Sequence, residues 1–324
     1  MASVPKQEMS DLNSSGQDPR PAATQGGRSA ELWCPDLARH RQPGPSLEDD
    51  HSASAYGMAT RAVHAGQYDD PATGAVGTPI FQSSTFRLDE DRYRAIDQGR
   101  ARESLIYSRY GNPSQWALQE KLASLENAES ALVFASGMAA ITTTLLALLD
   151  RGAHVVTSRD LYGGTYNFFN EDLSQYGMSA TFVDPTDLDA VAGAITERTQ
   201  VLFFEGLTNP LLKVAPIDGL VEIARRYGCR VVIDNTFLGP ANSLPLDAGV
   251  DVVVHSASKS LNGHSDLIAG VAAGSRKMMD RVWVQMLKLG GSLDPHACFL
   301  FERGLKTYAL RTACQNANAK SIAA

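Results

Sequence analysis

Val250-Asp-Val-Val-Val-His255 is an apolar run that stops abruptly and delivers Ser256-Ala-Ser-Lys-Ser-Leu-Asn-Gly-His264. Its β-branched residues do not alternate with polar ones, so the run reads as a strand buried on both faces, the signature of a mainly parallel sheet covered by helices on each side. The run Val231-Val232-Ile233 has the same character.

Working outward, short apolar runs alternate with helical stretches at the spacing of βαβ units. Strands are predicted over 131–135, 154–158, 180–184, 200–205, 230–234, 251–255 and 269–274, and helices over 114–125, 137–150, 165–176, 188–197 and 217–227. The fold class is α/β with seven strands. In such sheets ligands bind at the carboxyl ends of the strands.

Lys259 falls at such an end. A lysine there is exposed, ion-paired or neutralised, and a neutral amine attacks carbonyls to form a Schiff base. Flanking Ser256 and Ser258 hydroxyls suit a phosphate, which points to pyridoxal phosphate as the aldehyde. The plainer alternative is a surface lysine capping a turn.

Other chemically useful residues share that location. Asp234 ends the run 231–233, where a carboxylate can hold a protonated ring nitrogen, although Asp234-Asn235-Thr236 is also good turn chemistry. Ser136-Gly137-Met138 follows the first strand and opens a helix, so its backbone N–H groups and the helix dipole suit an anion. Tyr162, before Gly163-Gly164, offers a face for a flat ring, or is a packed loop residue. Tyr107-Ser-Arg109-Tyr-Gly-Asn-Pro113 concentrates a phenol and a guanidinium, the preferred fork for phosphate. Each has a structural alternative, but five together at strand ends are not a random scatter.

Composition narrows the function classes. The 324 residues are 44% hydrophobic and 20% charged with a formal net charge of -7, which disfavours nucleic acid and anionic membranes and favours a small-molecule partner. Cys34, Cys229, Cys298 and Cys314 form no Cys-x-x-Cys pair, which argues against a disulfide framework or metal site and for the cytoplasm. The uncharged stretch 131–149 is long enough for a membrane span, but Ser136-Gly137 and Thr142 to Thr144 fit a strand turning into a buried helix. Residues 1–55 mix Ser, Pro, Gly and Gln with both charge signs and read as a disordered leader.

These motifs, with Thr208-Asn-Pro210 and Val232-Ile-Asp-Asn-Thr236, resemble in order and spacing the Cys/Met-metabolism (trans-sulfuration) family of pyridoxal-phosphate enzymes, from about residue 61 onward. The resemblance implies a fold-type I pyridoxal-phosphate transferase: an arm over 56–115 that contacts a neighbouring subunit, a cofactor-binding domain over 116–311, and over 312–324 the start of a helix leading to a small C-terminal domain. It also implies Lys259 as the Schiff-base lysine and proton shuttle, Asp234 on the ring nitrogen, and Tyr162 stacked on the ring and acting as a proton donor. The phosphate would be held by Gly137, Met138, Ser256 and Ser258, and Tyr107 and Arg109 would serve the neighbour's site. The implied partners are an amino-acid substrate and further copies of the chain, in a dimer of dimers.

Three departures from the family pattern qualify that expectation. The small domain, which in the family supplies an arginine for the substrate carboxylate, is largely missing, and Arg311 is the last arginine. Gly164, and Leu289 after Lys288, stand where methionine γ-lyases resemble one another in Cys and Asp, which favours cystathionine or homoserine-ester chemistry. Gly206-Leu207 replaces the usual approach to the Thr-Asn-Pro triplet. The expected activity is γ-elimination or γ-replacement on sulfur-containing or O-acylated amino acids. Alternatives are a truncated cofactor-binding homologue with little turnover, a methionine γ-lyase or a cystathionine β-lyase.

Overall fold

The computed structural model describes residues 56–68 and 70–324, so the leader expected over 1–55 lies outside the described residues. Strands β1 (Ser130–Phe134), β2 (His154–Ser158), β3 (Ser179–Val183), β4 (Thr199–Glu205), β5 (Arg230–Asp234), β6 (Val252–Ser256) and β7 (Gly270–Gly274) form one sheet in the order β1-β7-β6-β5-β4-β2-β3. From β6 through β5, β4 and β2 to β3 every pairing is parallel; β7 lies antiparallel to both β6 and β1. The mainly parallel seven-stranded sheet is therefore present. Its antiparallel member follows from chain length, because the connection 257–269 holds no helix to carry a parallel crossover.

The helices are α1 (Met58–His64), α2 (Glu90–Asp97), α3 (Pro113–Glu126), α4 (Gly137–Leu148), α5 (Gly163–Asn167), α6 (Leu188–Gly193), α7 (Ile217–Tyr227), α8 (Arg276–Leu289), α9 (Pro295–Leu305) and α10 (Tyr308–Ala323). Val232, Val252 and Val254 pack on one face of the sheet with α4 and α8, whereas Val231, Ile233 and Val253 pack on the other with α6 and α7. Burial on both faces explains why these strands read as unbroken β-branched runs. Towards β1 the second face is covered by α3 and α9, around Leu118, Leu122, Phe301 and Leu305.

Some elements differ from expectation. β3 sits at the sheet edge and is partly exposed. The helix expected over 165–176 is α5 followed by a π turn over Phe168–Asp172 and a 3-10 turn over Leu173–Tyr176, ended by Gly177 at φ +74. The helix expected over 188–197 stops at Gly193. The uncharged stretch 131–149 divides into β1 and α4, and no described helix is long and apolar enough to cross a membrane. The boundary expected at 312 falls inside α10, whose residues from 313 onward are exposed.

The region 56–115 is tied to the body by a buried cation. Lys121 on α3 donates through Nζ to the carbonyls of Val63 and Ala65, at 3.0 and 2.5 Å, fixing the end of α1. Burial lowers its pKa to about 8.

Candidate active site

Two glycines let distant strand ends meet. Ser136 caps α4, its Oγ accepting the Ala139 N–H at 3.0 Å. A Cβ on Gly270, the first residue of β7, would lie 2.1 Å from the Ser136 carbonyl oxygen, so only glycine lets the β1–α4 turn cross over β7. Beyond it, a Cβ on Gly137 would lie 2.8 Å from Ser256 Cβ. The α4 N-terminus thus reaches the end of β6, although β7 lies between their strands. Met138, half-buried, approaches the Thr165 hydroxyl on α5 through its sulfur at 3.7 Å.

Asp234, at the end of β5, is 8% exposed. Its Oδ1 accepts the Thr236 hydroxyl at 2.5 Å and the Thr236 N–H at 3.0 Å. The same hydroxyl oxygen accepts the Ser256 N–H at 2.8 Å, joining the ends of β5 and β6 by one chain of hydrogen bonds. Burial pushes the Asp234 carboxyl up, while the Thr236 bonds and nearby His255 oppose the rise. His255 Nε2 lies 2.6 Å from Glu126 Oε1, both side chains being buried.

Lys259 stands in the loop joining β6 to β7. The Ala257 N–H donates to the Ala269 carbonyl at 2.9 Å, and the Ala269 N–H donates to Ser258 Oγ at 3.0 Å, pinching the loop's base. Lys259 itself is exposed, which corrects the expectation of a desolvated amine. Arg311 buttresses the far side of this loop: Nη1 donates to the Ser260 carbonyl at 2.6 Å, and Nη2 to those of Leu261, Asn262 and Gly304 at 2.9, 3.3 and 3.1 Å. The last arginine of the chain is therefore engaged with backbone and not free to clamp a carboxylate.

Tyr162, 54% exposed, precedes α5. Its N–H donates to Glu205 Oε1 at 2.7 Å, and Glu205 Oε2 accepts the Asn209 N–H at 3.2 Å. Burial raises Glu205 to a pKa of about 7, with Asp234 and Asp160 adding to the rise against the two backbone bonds. The triplet Thr208-Asn209-Pro210 forms a closed turn despite Gly206-Leu207 before it: the Thr208 N–H donates to the Lys213 carbonyl and the Lys213 N–H to Thr208 Oγ1, both at 3.0 Å.

Tyr107 and Arg109 stand apart from this cluster. Arg109 Nη1 donates to the Leu287 carbonyl at 2.5 Å, and its guanidinium lies 5.4 Å from the ring centres of Tyr107 and Tyr110. Those contacts are with α8 and its own stretch, not with the Lys259 loop.

The residues that gather fit pyridoxal phosphate. The glycine cradle at Gly137 and Ser256 is the width of a backbone turn, suited to an anion at a helix N-terminus. Asp234, with its recorded hydrogen bonds all on Oδ1, keeps Oδ2 for a ring N–H. Sequence reasoning missed Glu205, Thr236 and the structural role of Arg311. A charged residue ending the apolar run 201–204 was the available signal for Glu205, and Thr236 was visible only as part of a turn.

The family model for "Cys/Met metabolism PLP-dependent enzyme" matches residues 59–324. The chain is 41% identical over 269 residues to a probable cystathionine gamma-synthase of Herpetosiphon aurantiacus, covering 83% of this chain and 82% of that protein. It is also 41% identical over 269 residues to the L-methionine gamma-lyase of Pseudomonas putida, covering 82% of this chain and 68% of that protein. Among solved structures, a cystathionine gamma-lyase from Lactobacillus plantarum complexed with L-serine superimposes with a TM-score of 0.73 at 37% identity, over 79% of this chain and 65% of that one. The chain belongs to the Cys/Met metabolism family of enzymes that depend on pyridoxal 5'-phosphate.

Proposed function

We propose that this chain acts on sulfur-containing or O-acylated amino acids by γ-elimination or γ-replacement, with Lys259 as the Schiff-base lysine. The observation that carries the reading is the hydrogen-bond chain Ser256 to Thr236 to Asp234, which couples a phosphate subsite to a ring-nitrogen partner three residues from Lys259.

When bound, pyridoxal phosphate withdraws electrons from an attached amino acid and makes its Cα proton acidic. Gly137 and Met138 hold the phosphate through their N–H groups, and Ser256 and Ser258 through their hydroxyls. Asp234 Oδ2 accepts the ring N–H. The Lys259 amine takes the proton from Cα and moves one at Cβ. Tyr162 lies along the ring and gives a proton to the departing γ-substituent. Water as the second reactant leads to a 2-oxo acid and ammonia, and a thiol leads to a thioether.

The 41% identity is the same to a γ-synthase and to a methionine γ-lyase, so identity does not choose between them. Gly164 and Leu289 favour cystathionine or homoserine-ester chemistry. A homo-oligomer in which Tyr107 and Arg109 serve a neighbour's site is part of the proposal, supported by the exposure of Tyr107 and the distance of both from the Lys259 contacts. We place it in the cytoplasm, consistent with Cys229, Cys298 and Cys314 being free thiols.

A second reading, cofactor binding with little turnover, is favoured by the engagement of Arg311 with backbone carbonyls. Purified protein is expected to show the visible absorption of a lysine-bound cofactor and to lose it in Lys259→Ala; a colourless wild type reconstituted with pyridoxal phosphate overturns the cofactor site. Cystathionine, methionine, homocysteine and an O-acyl homoserine are then offered separately. Formation of 2-oxo acid or thioether supports the first reading, and silence on all four supports the second.

A further inference from the structure

We propose that Glu205 is a positioning residue that yokes two active-site loops, holding Tyr162 through its backbone while anchoring the Asn209 turn. The inference rests on the proposed placement of Tyr162 over the cofactor ring.

Both carboxylate oxygens are engaged, and each serves a different loop: Oε1 takes the Tyr162 N–H from the loop after β2, and Oε2 takes the Asn209 N–H from the loop after β4. The two loops are tied again at the rim. Lys213 Nζ lies 2.8 Å from Asp160 Oδ2 and 3.0 Å from Asp184 Oδ2, and Asp160 stands two residues before Tyr162. The 208–213 turn closes on itself through Thr208, so it moves as one piece. A buried carboxylate facing Asp234 on β5 and Asp160 on the neighbouring loop is a costly way to fill space. Spanning two amides from separate loops gives it a reason to be there.

The charge state matters to the span. An ionised carboxylate accepts at both oxygens, whereas a protonated one carries an O–H that cannot accept, so one amide is released. With Glu205 raised to about 7 by burial, against Asp234 and Asp160 and with Lys213 balancing Asp160, the yoke loosens as pH falls through neutrality.

The test is residue-resolved amide hydrogen exchange on the full chain, with and without pyridoxal phosphate, corrected for the intrinsic pH dependence of exchange. Glu205→Gln keeps the shape but offers one acceptor, and Glu205→Asp keeps the charge but is too short for both amides. Each is expected to speed exchange at Tyr162 or Asn209 by about tenfold, the loss of one charge-assisted hydrogen bond. Each also releases bound cofactor several-fold faster, and protection at one of the two amides in wild type falls below neutral pH. Wild-type protection at both amides in both variants overturns the proposal, as does unchanged cofactor release. A wild type that takes up no cofactor sinks the parent reading while leaving the two amide measurements to decide the yoke.

Discussion

Glu205 and Asp234 lie opposite each other in the parallel register of β4 and β5, two carboxylates side by side at the sheet's carboxyl end. The folded state binds a proton at Glu205 more tightly than the unfolded chain does, its pKa rising from 4.5 to about 7. The stability contributed by that proton is fully present below about pH 4.5 and is lost as pH rises through about 7. Urea unfolding across this range should show Glu205→Gln with a pH dependence flatter than wild type by roughly 2–3 kcal/mol. Parallel curves for the two proteins contradict it.

Thr236→Val deletes a hydroxyl that donates to Asp234 and accepts from Ser256. The expected cost is about 1–3 kcal/mol in stability. Cofactor affinity should fall with it, measured by titrating the apo chain, and Thr236→Ser should restore most of both. A valine variant that binds cofactor as tightly as wild type removes the hydroxyl from any orienting role.

Arg311→Lys tests the buttress of the Lys259 loop. A single ammonium cannot reproduce a planar fork reaching Ser260, Leu261, Asn262 and Gly304. Stability should drop by roughly 1–3 kcal/mol. The fraction of Lys259 captured by borohydride reduction in the presence of pyridoxal phosphate should drop as well. Full capture with lowered stability confines Arg311 to a structural part.

Gly164→Ala places a methyl 2.8 Å from Tyr162 Cε1 and 3.2 Å from the Met138 sulfur. Tyr162 is half exposed and can swing aside, so the stability change should stay near about 0.5 kcal/mol. The visible circular dichroism of the bound cofactor should change markedly. An unaltered spectrum means the tyrosine does not lie on the ring.

Much of this arrangement was readable from the chain because burial on both faces imposes its own composition. The bounds of β2, β5 and α7 coincide with expectation, since each is a run of apolar or amphipathic residues closed by turn chemistry. Strand direction was not readable. Val271-Ala272-Ala273 looks the same running either way, and only the helix-free connection before it hints at the antiparallel return. The residues that carry chemistry stood out where backbone and side chain are both unusual, as in Ser256 to His264. Those acting through another residue did not: Glu205 reads as the end of a strand, and Arg311 as one more cation on a helix. Their parts depend on which loops the sheet order brings together.

The position of β7 sets a schedule for the molecule. β1 joins the sheet only through β7, pairing Ser130 with Gly274 across nearly half the polypeptide, so the earliest strand must wait for the latest. Such distant pairings are slow to form. Until β7 is inserted, Gly137 and Ser256 have no common strand to bring them together, and the phosphate cradle does not exist. Cofactor capture is therefore a late event in maturation, and a nascent chain stalled before residue 270 should carry the parallel strands but no grip on pyridoxal phosphate.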